Sequence, residues 1–295
     1  MYGRQSKASS GASSGDHVAH YRREGYAIVR KLFAPDEIAA IAAASDKVHD
    51  EAAGHGRSFR HGNLFYDVKP GPGGAPWVRM AQWFSYHRPE LNAVRLDPRI
   101  LALLEPLIGR DLKQIINQIH WKAPNAPGEF AWHQDSRFRL PESAYRNLGA
   151  SYVQTGLAMD PHGPESGGMR FIPRSHLRGA LPLDCSSQVL GTAMNDAALG
   201  AVALDPADVV ELELEPGDFA LWSPFLVHGS GVNRSSHLRR FYINGYVRAQ
   251  DCDRGEWAFR GGRPAQFGPE PALVHYEALR ERGEPHYVED GRRRA

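Results

Sequence analysis

Hydrophobic and polar positions change their spacing near Gly109. Before this residue the apolar positions recur at helical intervals, which predicts a short helix at residues 17–25, a second beginning at Pro35 and another at about 98–108. Pro35 suits a first helical turn, and Ile38 with Ile41 gives that helix an apolar face. The N-terminal part of the chain is therefore predicted to be helical.

Two stretches of this N-terminal part do not follow the helical pattern. Residues 26–33 are rich in β-branched and aromatic side chains, which favours a strand. Residues 54–76 are dense in Gly and Pro, which predicts a long irregular connection of the kind that often covers a site.

After Gly109 short apolar segments alternate with turn residues, which is typical of β-structure. We expect strands at residues 114–122, 130–135, 152–159, 169–173, 209–214, 219–222, 226–229 and 239–247. Strands of this length and number favour a mainly β fold with flanking helices and a double-stranded β-helix core, the jelly roll of cupin-like proteins. Residues 181–208 are too polar and irregular to be predicted as core.

The chain of 295 residues is long enough to bury a sizeable core without disulfides or a structural metal. We predict a disordered leader at residues 1–16, rich in Ser, Gly and Ala, and a single domain at residues 17–295. Within this domain we distinguish a helical N-terminal part (17–112), the jelly-roll core (113–250) and a C-terminal extension (251–295).

Composition excludes several classes of function. The charges nearly balance, with 35 Lys and Arg against 34 Asp and Glu, so no basic surface predicts a nucleic-acid partner. The sequence contains no run of about 18 apolar residues of the kind that spans a membrane. The cysteines, Cys185 and Cys252, are too few for a disulfide framework and fit a reducing compartment. We expect a cytoplasmic protein without an obligate protein partner.

His133 and Asp135 are two residues apart at the end of a predicted strand, so both side chains can point to one face. His228, on a later strand, would complete a set of two imidazoles and one carboxylate. Such a set holds iron(II) and leaves three positions for a co-substrate and oxygen. The His-x-Asp triplet alone carries little weight among 14 histidines, and the later His228 gives it meaning.

An arginine, Arg239, follows His228 by 11 residues. Arg239 shares a strand face with Phe241 and Ile243, whereas Arg240 lies on the opposite, more polar face. A dicarboxylate held by a metal at one end needs a cation at the other, and guanidinium binds carboxylate through two parallel hydrogen bonds. Arg239 is therefore the predicted anion ligand, with Arg240 as its competitor.

These motifs together resemble the phytanoyl-CoA dioxygenase family of iron(II)- and 2-oxoglutarate-dependent oxygenases, which includes ectoine hydroxylases and many bacterial biosynthetic enzymes. The resemblance spans about residues 20–250 and is carried by REGYAIVRKLFAPDEI, WHQD, GGMRFIPRSH, PGDFALWSPFLVHGSGVN and Arg239. It implies that His133, Asp135 and His228 bind Fe(II). It further implies that the co-substrate 2-oxoglutarate, which reacts with O2, is held by Arg239, Ser230, Gln118 and Arg79.

The sequence departs from the family at two positions. Gly156 stands where relatives carry a bulky residue, which implies a roomier or reshaped pocket. Arg174 replaces the glycine of a PGSH turn, although glycine adopts a left-handed turn at lower cost. Asp135 itself distinguishes the chain from the halogenating branch of the superfamily, which needs a small residue there, and so favours hydroxylation or a related oxidation.

Several aromatic and basic residues lie close to the triad in sequence: Trp132, Arg137, Phe138, Arg139, Trp222 and Phe225. We predict that Trp132, Arg137, Phe138, Gly156 and Phe225 bind the substrate, a small molecule for which the arginines would form an anion clamp. The alternative, that the aromatics are core and the arginines solvated, is equally consistent with the sequence.

The sequence therefore predicts an oxygenase that oxidises, and most simply hydroxylates, a small organic molecule, with succinate and carbon dioxide as co-products. Two alternatives stay open at this point. A jelly-roll hydrolase or isomerase could use another divalent metal in the same site, and a β-sandwich could bind a small molecule without catalysis.

Overall fold

The computed structural model describes residues 16–125, 128–183, 189–190, 192–269, 272 and 283–288. The predicted leader lies outside these residues except for Asp16, as do Cys185 and part of the C-terminal extension. The helices are α1 Asp16–Glu24, α2 Pro35–Gly54, α3 Pro89–Arg95, α4 Pro98–Ile108, α5 Leu148–Ser151 and α6 Ala197–Ala201. The strands are β1 Tyr26–Val29, β2 Phe59–His61, β3 Leu64–Pro70, β4 Pro76–Gln82, β5 Leu112–Lys122, β6 Phe130–His133, β7 Tyr152–Ala158, β8 Met169–Phe171, β9 Val210–Glu211, β10 Phe219–Trp222, β11 His228–Ser230, β12 Arg239–Arg248, β13 Glu256–Arg260, β14 Arg263–Pro264 and β15 His286–Tyr287.

The strands form two antiparallel sheets. The described strands of the large sheet follow the order β1-β10-β7-β12-β5-β4-β3-β2-β15, and β13 with β14 is attached to β5. The small sheet has the order β6-β11-β8-β9. Neighbouring strands in space are mostly distant in sequence, as in a double-stranded β-helix. The predicted mainly β fold with a jelly-roll core is confirmed.

A core of apolar side chains from both sheets lies between them. It consists of Tyr26, Ala158, Met169, Phe171, Leu212, Leu214, Ala220, Trp222, Leu226 and Phe241. Phe171 of the small sheet and Trp222 of the large sheet have ring centroids 6.1 Å apart. Aromatic side chains therefore fill the space between the layers on one side of the site.

Helix α2 covers the outer face of the large sheet. Its alanine-rich sequence lets the helix approach closely, and Ile41 and Val48 are buried in one cluster with Val78 and Ala81 of β4. At its start the Glu37 carboxylate accepts a hydrogen bond from the Ala34 N–H, which satisfies a donor that the helix leaves free. The helix thus fixes the outer surface of the strands that face the site.

The predicted irregular connection at residues 54–76 is wrong, because this segment contains β2 and β3. Leu64, Tyr66 and Val68 alternate as buried residues along β3, and the glycines concentrate in the turns between strands. These strands and β4 extend the large sheet beyond β5. The N-terminal part therefore contains both helices and strands.

Two further predictions need correction. The strand at 26–33 ends at Val29, because Lys31 has a positive φ of 53° that turns the chain. The segment 181–208 does contribute core, since Leu183, Leu199 and Val202 are buried against the outer face of the small sheet. Conversely, Arg174 adopts the left-handed φ of 65° that the family's glycine would supply more cheaply.

In the described part of the chain no helix combines the length and apolar character needed to cross a bilayer. The division into one domain and the cytoplasmic location stay predictions.

Candidate metal centre and anion sites

The three predicted metal ligands converge. His133 is the last residue of β6, and His228 opens β11 directly opposite it in the register. The predicted strand 130–135 ends two residues early, and Asp135 begins a 3₁₀ turn, Asp135–Phe138, that directs its carboxylate back toward both imidazoles. One ligand atom from each of these buried residues lies within 4.8 Å of the other two.

Backbone and side-chain hydrogen bonds orient all three ligands. His133 Nδ1 donates to the Ala131 carbonyl at 2.7 Å, and His228 Nδ1 donates to the Leu226 carbonyl at 2.9 Å. A carbonyl can only accept, so each Nε2 carries the free lone pair and faces the carboxylate of Asp135, at 3.9 Å from His133 and 3.6 Å from His228.

Trp222 fixes the carboxylate from the opposite sheet. Its indole Nε1 donates to Asp135 Oδ2 at 2.9 Å. Both histidines belong to the small sheet and Trp222 to the large one, so the ligand set is held from two layers.

The protonation state of the site suits a metal. Burial, with a smaller effect from neighbouring His228, lowers the pKa of His133 to about 3. The imidazole is therefore neutral at physiological pH, as a metal ligand must be. Two imidazoles and one carboxylate form the donor set that non-haem iron(II) takes in oxygenases, so the residues present fit this ion.

Two buried cations lie on neighbouring strands at one side of the triad. Arg239 of β12 pairs in register with Lys122 of β5, and their residues are only 3% and 4% exposed. Arg239 Nη2 donates to the Gly167 carbonyl at 3.0 Å. Lys122 Nζ donates to Ser230 Oγ at 2.7 Å and to the Gly231 carbonyl at 2.6 Å. These partners are all neutral.

The surroundings of both cations lower their pKa values. Burial and neighbouring Arg239 hold the pKa of the Lys122 ammonium well below its usual range. Burial also lowers the pKa of Arg239 to about 10, although Asp160 partly offsets this. An anion between them would stabilise the charged forms and raise both pKa values, because an opposite charge at short range favours ionisation.

Arg240 faces the other way, as its position on the strand predicts. It makes ion pairs of 2.7 Å with Asp160 and 2.8 Å with Asp46 of α2. Its charge is therefore already neutralised, which leaves Arg239 as the arginine that faces the interior.

The two weaker co-substrate candidates lie on β4 and β5. Arg79 already has a carboxylate partner, since its Nη2 is 2.6 Å from Asp67 Oδ2. The Gln118 side chain accepts a hydrogen bond from Gln82 at 3.3 Å, next to Met80 and His120 in the strand pair. Roles for Arg79 and Gln118 in binding 2-oxoglutarate stay predictions.

Trp132 does not face the metal site, contrary to the prediction. Side chains alternate along β6, so His133 points inward and Trp132 points outward. The Trp132 ring packs with Ile172, Leu199 and Val227, and its Nε1 donates to Asp196 at 3.2 Å.

Gly156 does not open the pocket. A Cβ atom at this position would lie 2.2 Å from Cζ of Phe241, so the phenyl ring already occupies the space. The glycine accommodates Phe241, and the prediction of a roomier pocket at this point is wrong.

The other predicted substrate residues lie around the turn that carries Asp135. The Phe138 ring is 5.9 Å from His133. Arg137 and Phe225 line a cavity of about 300 Å³ that also contacts Gln134, the residue between two metal ligands. Arg139, which is 3% exposed, lines the same cavity.

Sequence reasoning did not assign Lys122 to the site, and it placed Trp222 and Arg139 near the triad without predicting their contacts. Lys122 follows His120 at an interval of two on β5, so alternation could have placed it on the inner face. Its pairing with Arg239 depends on strand register, which the sequence pattern does not contain. The hydrogen bond from Trp222 to Asp135 depends likewise on how the sheets face each other.

Comparison with known proteins adds a family and a fold. The family model described as phytanoyl-CoA dioxygenase matches residues 21–241, more than half of the chain. The chain is 26% identical over 232 residues to a probable alpha-ketoglutarate-dependent hypophosphite dioxygenase of Stutzerimonas stutzeri, covering 78% of this chain and 77% of that protein.

A second relative matches over a shorter region. Dioxygenase lolE1 of Epichloe uncinata is 24% identical over 162 residues, which is 55% of this chain and 56% of the relative, so the match spans little more than half of either protein. Among solved structures, the non-heme alpha ketoglutarate dependent carbocyclase SnoK from nogalamycin biosynthesis superposes with a TM-score of 0.62 at 19% identity. That superposition covers 90% of this chain and all of SnoK, and it supports the fold alone.

Proposed function

We propose that this chain, which belongs to the phytanoyl-CoA dioxygenase family, is an Fe(II)- and 2-oxoglutarate-dependent oxygenase that hydroxylates a small organic molecule. The main support is the convergence of His133, Asp135 and His228 next to two buried cations, Arg239 and Lys122, which have only neutral hydrogen-bond partners. This combination suits a metal and a dicarboxylate.

In this proposal each residue has a separate task. His133, Asp135 and His228 would bind Fe(II), with both Nδ1–H groups committed to backbone carbonyls and Trp222 holding the carboxylate. Arg239 and Lys122 would bind the distal carboxylate of 2-oxoglutarate, and Ser230 is already hydrogen-bonded to Lys122. The two ends of the co-substrate would thus be fixed by different groups.

When bound, the metal and 2-oxoglutarate would activate O2, so that one oxygen atom would enter the substrate C–H bond to give an alcohol and the other would leave with 2-oxoglutarate as succinate and carbon dioxide. The chain contributes orientation and exclusion of water. Phe171, Trp222 and Phe241 form an apolar wall that would exclude water.

The buried cations also separate this function from its alternatives. A hydrolase or isomerase with another metal in the same triad has no need of a dicarboxylate site. It would leave Arg239 and Lys122 buried with only neutral hydrogen-bond partners among the described residues, which is costly in a dry interior. A non-catalytic binding protein would leave both the triad and the cations unexplained.

The test is succinate formation from 2-oxoglutarate in the absence of any added substrate. We expect turnover that depends on added Fe(II) and falls at least about 100-fold in His133→Ala, because a ligand is lost. The matched control is His49→Ala, a histidine of α2 outside the triad, which should retain wild-type turnover. Succinate formation that persists in His133→Ala, or that needs no iron, would contradict the proposal.

A further inference from the structure

The cavity that Arg137 and Phe225 line also contains a buried charged group, Arg139, with hydrogen-bond donors that no described residue satisfies. Arg139 is 3% exposed, and its Nε and Nη1 atoms have no hydrogen-bond partner in the described part of the chain. Leaving guanidinium donors unsatisfied in a buried position costs free energy. A ligand that accepts those hydrogen bonds would remove this cost.

No neighbouring side chain among the described residues accepts a hydrogen bond from Arg139 Nε or Nη1. The Tyr152 ring lies 5.6 Å from the guanidinium carbon, but the Tyr152 hydroxyl is hydrogen-bonded to Gln154. Glu142 lines the same cavity, yet no ion pair joins it to Arg139 among the described residues. The cation is supported from one side by an aromatic ring and open on another.

The remaining walls and the position of the cavity indicate what could enter. Leu148, Leu181 and Phe225 provide apolar surface, and Gln134 brings the cavity to the turn between two metal ligands. A volume of about 300 Å³ suits a small molecule. The lining therefore combines an apolar wall with a buried cation that has two free donors among the described residues, next to the turn that follows His133.

We propose that Arg139 binds the anionic group of the substrate, which is a small organic acid with an apolar body. The planar guanidinium matches a carboxylate or a phosphate, both of which accept two parallel hydrogen bonds. The apolar body would pack against Leu148, Leu181 and Phe225. Identifying this anion as the substrate rests on the proposed oxygenase function, whereas the anion site itself does not.

Calorimetric titrations test the site without turnover. The protein, loaded with Fe(II) and 2-oxoglutarate in the absence of oxygen, is titrated with hexanoate, hexyl phosphate and the neutral hexanamide. We expect at least one of the two anions to bind tenfold more tightly than hexanamide. The anion with the higher affinity identifies the group that Arg139 binds. Equal affinities for all three probes would overturn the proposal.

Two variants locate the binding. Arg139→Gln should abolish the preference for the anion, whereas Arg146→Gln, an exposed arginine paired with Asp253, should preserve it. Ala180→Asp tests the same cavity even if Arg139→Gln does not fold, because Ala180 is exposed on the cavity wall. It should weaken the preferred anion at least threefold and leave hexanamide unchanged. A preference that survives Arg139→Gln, or anion binding unaffected by Ala180→Asp, would overturn the assignment.

The outcomes also separate the two proposals. A protein that binds the anion through Arg139 but forms no succinate would contradict the oxygenase function and leave the anion site intact. A protein that forms succinate but does not prefer the anion would do the reverse.

Discussion

Arg239 and Arg240 are adjacent in sequence, but their charges are in opposite environments. Arg239 lies in the interior with carbonyl partners, and Arg240 forms ion pairs with Asp160 and Asp46 on the outer face. A single step along β12 thus separates a cation available to a ligand from one already neutralised.

We expect Arg239→Ala to weaken 2-oxoglutarate binding by about 10- to 100-fold, since a charge-assisted hydrogen bond of about 1.5–3 kcal/mol is lost. Arg240→Ala should change this affinity by less than about threefold and instead lower stability, because it breaks surface ion pairs. Titration of 2-oxoglutarate into the iron-loaded protein measures both. Equal effects would mean that the interior role of Arg239 is wrong.

Trp222 gives a second prediction at this scale. Trp222→Phe keeps an aromatic ring but removes the donor to Asp135, so iron affinity should fall by about 10- to 100-fold. Trp132→Phe is the matched control, because the Trp132 indole donates to Asp196, away from the triad. Iron titration followed by absorbance distinguishes them. An unchanged iron affinity in Trp222→Phe would show that this hydrogen bond does not orient the ligand.

At the level of elements, β7 and β12 pack through an unusual pair, a glycine facing a phenylalanine. Gly156 pairs with Ile243, and the neighbouring Phe241 ring covers the glycine. At Gly156, therefore, the space beside β7 is filled by a side chain of β12.

Gly156→Ala should lower the free energy of unfolding by about 1–3 kcal/mol, because the new methyl group overlaps the Phe241 ring in a packed interior. Gly200→Ala is the control: its added Cβ in α6 meets nothing within 4 Å, so this variant should be neutral or slightly stabilising. Urea denaturation compares the two. Equal stabilities would indicate that Phe241 moves away at no cost.

Sequence reasoning located the core strands because alternation and turn residues are local signals. Each of the eight predicted core strands exists, although β6 ends at His133 rather than at Asp135. It did not find β2 and β3, whose glycine- and proline-rich neighbourhood resembles a loop. The pairing of β2 with β3 and of β3 with β4 supplies the missing stability, and that pairing is a tertiary effect that propensity does not report.

On the scale of the whole molecule, the metal centre connects two layers. His133 and His228 belong to the small sheet, while Asp135 is hydrogen-bonded to Trp222 of the large sheet. A metal bound by all three would link the layers only in the folded state. Metal binding and folding should therefore be coupled.

Addition of Fe(II) without oxygen should raise the melting temperature, since a free concentration 100 times the dissociation constant stabilises the folded state by about 2.7 kcal/mol. A chelator should reverse the shift, and His133→Ala should show little of it. Differential scanning calorimetry measures all three samples. If Fe(II) leaves the melting temperature of the wild-type protein unchanged, the metal site is not coupled to folding.

The inward orientation of Arg239 could be predicted from alternation along one strand, and the triad from a His-x-Asp triplet with a later histidine in a second strand motif. The environment of Lys122 and Arg139 could not, because it depends on which groups the folded chain leaves unpaired. Trp132 illustrates the same limit from the other side: it is adjacent to His133 in sequence, yet it packs on the outer face of the sheet.

Gln134 has an effect that reaches beyond the ligands beside it. Its amide donates to the carbonyls of Gly179 and Phe225 at 2.9 and 2.5 Å and accepts from the Leu181 N–H at 2.8 Å. A molecule that shifts Leu181 must also shift the residue joining two metal ligands. Cavity occupancy and metal affinity should consequently be thermodynamically reciprocal, each changing the other by the same factor.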